Sequence, residues 1–176
     1  MILNSDIILA HPLWERADNE LCSKDRIGLF GRLVDVYVLA CSIGIKEDKV
    51  VTSLENPLNP PKSIGRNTYQ SIINENLKKL LDFMLQNALI NSKTIDFDMD
   101  ERLKLAFDPD YVNNKLSAAN FLTGFANYGI ERIFEKLTSA ASIVGIDELY
   151  IYLSSLEESK YDDILANITL EDIKNS

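Results

Sequence analysis

Histidine is almost missing from this chain: His11 is the only one in 176 residues. Cysteine is nearly as scarce, with Cys22 and Cys41 alone. A zinc centre needs several His, Cys or carboxylate side chains converging on one ion, so this inventory excludes it. The same shortage removes Ser–His and Cys–His nucleophile pairs, whose base must itself be oriented by a third group. Two cysteines make no disulfide framework, and the expectation is a reducing, cytoplasmic setting. None of the seven glycines builds a glycine-rich loop between a strand and a helix, so a phosphate cradle is excluded as well. A long apolar run is also missing. The apolar part of the helix that begins near Leu29 falls short of the ~20 residues that span a bilayer. The opening MILNSDIILAHP has no basic n-region, so neither a signal peptide nor a membrane association is expected.

Positive charge is in short supply too. The chain holds 27 Asp and Glu against 18 Lys and Arg, a net charge of −9. Residues 1–82 are near balance, eleven acids to ten bases, whereas residues 83–176 hold sixteen acids to eight bases. That half repels a phosphate backbone, which points away from DNA and toward a basic partner or a plainly solvated acidic surface.

What is present is helical pattern. Leu29 to Gly44, LFGRLVDVYVLACSIG, is apolar on nearly every face and is expected to lie among other helices, ending at Gly44 as its C′ residue. Tyr69 to Asn91 carries apolar residues close to a 3,4 spacing, with Asn67 or Thr68 as its cap. Trp14 to Cys22 reads as a short helix with Trp14, Ala17 and Leu21 on one side. Asp98 and Glu101 form a capping pair for a helix to about Phe107, which Asp108, Pro109 and Asp110 end. A further helix is expected from Asp110 or Val112 toward Tyr128, bent or interrupted at Gly129. Gly124 would allow close packing, against the central helix. Asp147 to Leu156 forms a short amphipathic helix, and Thr169 caps a last turn. Residues 45–68, with Pro57, Pro60, Pro61 and Gly65, form one long loop in which Lys49 to Leu54 are a short strand or an extended segment. The fold class is therefore all-α: a single compact helical domain over 1–176, of six to eight helices, with an acidic segment over about 157–176.

No catalytic, cofactor or metal site is read from the chain. Asp96, Asp98, Asp100 and Glu101 alternate like a calcium loop but lack its central Gly and its final Glu. Glu47, Asp48, Lys49, Asp108 and Asp110 carry the letters of a two-metal nuclease without its rigid scaffold. Two sets of surface residues remain. Phe125, Tyr128, Tyr150 and Tyr152 are candidates for a partner interface; Tyr150 and Tyr152 cannot both face a core from positions two apart on a helix. Lys46, Lys49, Lys62 and Arg66 are candidates for nucleic-acid contact, though acids lie among them and no aromatic is interleaved to stack a base.

Two stretches carry a resemblance. Arg26 to Phe30 (RIGLF) followed by Val34 to Ile45 (VDVYVLACSIGI) resembles the opening of small accessory proteins found beside Dnd-type DNA phosphorothioation genes in bacteria. Leu122 to Ile133, LTGFANYGIERI, is similar to their later Y-A-N-G-G-hydrophobic segment; Phe125 stands for the Tyr and Tyr128 for the first Gly. The resemblance implies a non-catalytic subunit of an antiphage defence complex, acting beside a larger ATPase or nuclease, with DNA reached through that complex. It implies no catalytic residue. A small DNA-binding or regulatory protein using the loop bases is the alternative, and an acidic immunity or inhibitor protein is a third.

Overall fold

The computed structural model describes residues 3–22, 29–70, 74–138 and 146–156. The fold is predominantly all-α, as the apolar periodicity predicts, with eight α-helices and one two-stranded ladder among the described residues. The chain divides into two compact units, Met1–Arg132 and Ile133–Ser176. The acidic segment over about 157–176 and the cap at Thr169 lie outside the described residues.

The first unit opens with β1 (Ile7–Leu9), which pairs antiparallel with β2 (Lys62–Ile64), Ile8 opposite Ser63. This ladder is absent from the sequence reading, because three-residue strands carry too little alternation to register. Helix α1 (Leu13–Arg16) runs into a π-helical turn, Ala17–Leu21, and Trp14, Ala17 and Leu21 are buried as expected.

Helix α2 (Leu33–Glu47) is the central helix, with Val36, Tyr37, Ala40, Cys41 and Gly44 buried. It does not end at Gly44. It continues one turn further and stops at Asp48, which takes the left-handed conformation (φ 51°) that a glycine would usually supply. The Asp48 carboxylate offsets that cost by tying α2 to a distant segment. Ser92 Oγ donates to its Oδ1 (2.5 Å) and the Lys93 amide donates to its Oδ2 (2.9 Å). The expected loop over 45–68 is correspondingly shorter. Helix α2 takes up 45–47, and β2 and α3 (Arg66–Gln70) take up most of 62–68. Asn67 and Thr68 therefore lie inside α3, whose N-terminus is held by Asp6, the Arg66 amide donating to Oδ1 (2.7 Å). The helix expected from Tyr69 begins instead at Glu75, as α4 (Glu75–Asn91).

Helix α5 (Met99–Phe107) starts where its cap predicts, with the Asp98 side chain accepting from the Glu101 amide (2.8 Å). Its partner arginine closes the α4–α5 turn: the Arg102 guanidinium donates to the carbonyls of Phe97, Ile90, Ser92 and Ile95 at 2.8, 3.2, 2.5 and 2.6 Å. Asp108 then caps α6 (Pro109–Lys115), accepting from the Asp110 and Tyr111 amides. The single helix expected from Asp110 to Tyr128 is thus two, α6 and α7 (Ala118–Thr138). Leu116 is extended, and the Ser117 hydroxyl accepts from the Asn120 amide (3.4 Å), a capping signal the sequence reading passed over.

Two glycines place α7 against α2. A Cβ at Gly129 would stand 1.9 Å from the Ala40 carbonyl oxygen, and one at Gly44 would stand 2.2 Å from that of Phe125. The backbones of the two helices therefore meet at both points, which only a missing side chain permits. Gly129 makes no interruption, since α7 runs through it unbroken. Gly124 is not at this crossing. Its nearest neighbours are Thr52 and Val50, at ordinary van der Waals distance, and its carbonyl accepts from the Val51 amide (2.9 Å). Val51 is held a second time: Asn127 Nδ2 donates to its carbonyl (3.1 Å), while Asn127 Oδ1 accepts from the Trp14 indole (2.9 Å). Lys49 to Leu54 thus forms no strand, and Val51 bonds to a helix instead.

Candidate interaction surface

The one histidine is committed. His11 is buried; its Nδ1 accepts from the Leu13 amide (3.2 Å) and its Nε2 faces Glu131 Oε1 (3.0 Å). With Nδ1 accepting, Nε2 is the donor to Glu131, so both ring nitrogens are hydrogen-bonded within the protein. The cleft beside it, about 350 Å³, is lined by His11, Pro12, Val51, Ser53, Leu54 and Glu131 among others. The thiols are not activated. Burial pushes both Cys41 and Cys22 up, and Asp18 and Asp35 add to the rise at Cys22.

The acidic sets read from the sequence scatter into separate structural tasks. Asp98 caps α5, Glu101 Oε1 accepts from the Tyr111 hydroxyl (3.0 Å), and Asp108 caps α6. Asp48 bridges to Ser92 and Lys93, while Glu47 turns toward Tyr128. Among the described residues no group of three His, Cys, Asp or Glu is placed to hold a metal ion. No helix among them is long and apolar enough to cross a membrane.

Two of the four candidate bases face acids. Lys62 Nζ pairs with Asp18 Oδ2 at 2.8 Å, which raises its pKa. Lys49 Nζ stands 3.9 Å from Glu47 Oε2 and 5.4 Å from the centre of the Tyr128 ring. Lys46 and Arg66 are exposed, on α2 and at the start of α3.

The four candidate aromatics divide. Phe125 is fully buried, edge-on to Phe121 with ring centroids 5.2 Å apart, so it presents no surface to a partner. It sits on the α7 face that meets α2, where the aromatic-rich sequence reads the same whether inward or outward. Tyr128 is half-buried, its hydroxyl donating to Glu47 Oε2 (2.5 Å). In the second unit, helix α8 (146–156) carries Tyr150, 71% exposed, and Tyr152, half-buried beneath Lys136 Nζ at 5.4 Å from its ring centre. Ile151 beside them is 66% exposed and Ile146 is also exposed. A groove of about 300 Å³ runs along this helix, lined by Lys136, Glu148, Ile151, Tyr152 and Ser155.

Sequence reasoning missed a second exposed apolar surface, in the first unit. Met99, Leu103 and Phe107 of α5 are all exposed, as is Phe83 of α4. Their i, i+4, i+8 spacing marks one helix face, but a spaced apolar face in a sequence reads as a core face. Only the burial of Leu105 and Ala106 shows that α5 turns a different side inward.

No family model, curated protein or solved structure matches the chain. Val34 to Ile45 and Leu122 to Ile133 meet each other. Gly44 lies on Phe125, Gly129 on Ala40, Tyr37 Oη stands 3.4 Å from Thr123 Oγ1, and Cys41 Sγ is 3.7 Å from the Leu122 carbonyl oxygen. These residues are the two sides of one helix crossing.

Proposed function

We propose that this chain is a non-catalytic subunit that docks on a larger protein of a bacterial antiphage defence complex, of the ATPase or nuclease class. The observation that carries the docking is the exposed Ile146, Tyr150 and Ile151 beside the α8 groove. Apolar and aromatic side chains clustered in contact with water mark partner surfaces, and tyrosine is over-represented among residues that dominate binding. The commitment of both His11 nitrogens supports a binding role over a chemical one. The defence setting rests on the resemblance of Val34 to Ile45 and Leu122 to Ile133. Direct DNA binding through the loop bases has less support, since Lys62 and Lys49 already face Asp18 and Glu47.

A tagged pull-down from the native host at endogenous level, read by mass spectrometry, tests the reading. We expect an ATPase or nuclease encoded nearby to stay bound to the wild type and to be lost from a Tyr150→Ala, Ile151→Asp variant of unchanged helicity. Recovery of the chain alone, or retention of the partner by the variant, overturns it.

A further inference from the structure

The α8 surface on which we place the partner belongs to the most acidic part of the chain. Residues Ile133–Ser176 hold nine Asp and Glu against three Lys, so a quarter of the chain carries −6 of its net charge of −9. Of the three lysines, Lys136 stands over the Tyr152 ring, 5.4 Å from its centre, and Lys160 and Lys174 lie outside the described residues. On α8 itself, Ile146 and Tyr150 form one exposed row along the helix, and Asp147, Ile151 and Ser155 form the next. Among the described residues, Asp147 is engaged in no ion pair within 4.0 Å. Glu148 lines the groove on the other flank of Ile151. Acid, not base, edges the apolar strip.

A segment lying on this strip must satisfy its own main chain. Every described element of the unit is helical, so no strand edge is there to lend hydrogen bonds. An extended segment would leave amides and carbonyls unpaired against apolar side chains. A helix arrives with those bonds already made and lays an apolar stripe on such a surface. Its flanks then come level with Asp147 and Glu148, where Lys or Arg is attracted and Asp or Glu is repelled. The same charge disfavours a second copy of this chain, and a nucleic acid with its phosphates. Given docking at α8, on which this rests, we infer that the occupant of the groove is a basic amphipathic helix of the larger subunit. Its apolar stripe covers Tyr150 and Ile151, and its Lys or Arg side chains meet Asp147 and Glu148.

Helix α8 spans residues 146–156, about 16 Å, so about three turns of a partner helix cover it. The carboxylates stand at the rim, where salt screens them, so the attraction weakens as ionic strength rises while the apolar contact remains.

Fluorescence anisotropy of a dye-labelled test peptide, LKKLLKLLKKLLKL, titrated with the full chain, tests the inference. As a helix this peptide is apolar on one face and basic on the other. Two controls accompany it: the same peptide with Glu for every Lys, and a Leu/Lys peptide of equal composition whose Leu residues are spread around the helix. The test peptide is expected to bind at least about tenfold more tightly than either control. Asp147→Lys should weaken it about threefold, as reversal of one rim charge does. Ile151→Ser should weaken it about tenfold, since it removes the apolar contact without adding charge. Both residues are exposed, and circular dichroism checks that each variant keeps its helicity. A test peptide that fails to bind, or binds no better than a control, overturns the inference. So does binding that neither variant reduces, which would lie elsewhere on the acidic chain. The pull-down reads docking by itself. A larger subunit that is lost with the Tyr150→Ala, Ile151→Asp variant, while the test peptide does not bind, leaves docking standing and refutes the basic helix. Recovery of the chain alone refutes both.

Discussion

Adding one methyl group at Gly129 should damage this protein more than adding one at Gly124, although both are glycines inside α7. The Cβ of Gly129→Ala would stand 1.9 Å from the Ala40 carbonyl oxygen. A carbon and a carbonyl oxygen rest no closer than about 3.3 Å, so the α2 and α7 backbones must separate there by about 1.4 Å. Nothing at the contact can rotate away, because the obstruction is main chain. A gap of that size forfeits much of the dispersion between the facing side chains, and the overpacking itself costs about 1–3 kcal/mol. Alanine recovers about 1 kcal/mol of helix propensity, which leaves a net loss of up to about 2 kcal/mol before the lost dispersion is added. In a chain of this length about 2 kcal/mol lowers Tm by roughly 4–8 °C. Gly44→Ala, 2.2 Å from the Phe125 carbonyl oxygen, should behave alike. Gly124→Ala meets only the Thr52 and Val50 side chains, at 3.4 Å and beyond. There the propensity gain stands alone, and Tm should rise by about 2–3 °C. Circular dichroism melts of the three variants, with urea titrations to check that the slope is unchanged, decide the matter. Equal shifts for Gly124→Ala and Gly129→Ala, or a Gly129→Ala protein within about 2 °C of wild type, would refute the backbone-contact account.

Two further outcomes follow from particular residues. Asp48→Ala loses both links to Ser92 and Lys93 and must hold alanine at φ 51°; urea unfolding should show a loss of about 3 kcal/mol, whereas Asp48→Gly, which keeps the conformation without strain, should lose about 1 kcal/mol less. Burial, with Asp6 nearby, pushes the Tyr69 phenol up to about 12. The unfolded chain ionises near 10, so stability present below pH 10 is lost as pH rises toward 12, by at most about 1.4 kcal/mol per pH unit. Tyr69→Phe should flatten that alkaline slope in urea titrations run from pH 9 to 12, and an unchanged slope would exclude Tyr69 as its source.

Much of this architecture is written locally. The cap at Asp98, the double role of Asp108 before Pro109, and the buried side of Trp14, Ala17 and Leu21 are each decided within a few residues, by amide geometry and apolar spacing. The sequence also determined by itself the all-α class and the exposure of one of the two α8 tyrosines. Tertiary structure decided the rest, because it depends on what stands opposite. Gly44 has the letters of a helix end and serves instead as a contact, since Asp48 can turn the chain once Ser92 and Lys93 are near. Gly124 and Gly129 are alike in sequence, and only the position of Ala40 makes one of them a crossing point. Phe125 and Met99 exchange the places their neighbours suggest: the first is fully buried, its ring edge-on to Phe121, and the second is left in water. A helix carries its apolar row whichever way it turns, and the direction in which that row is buried is set by residues far away along the chain.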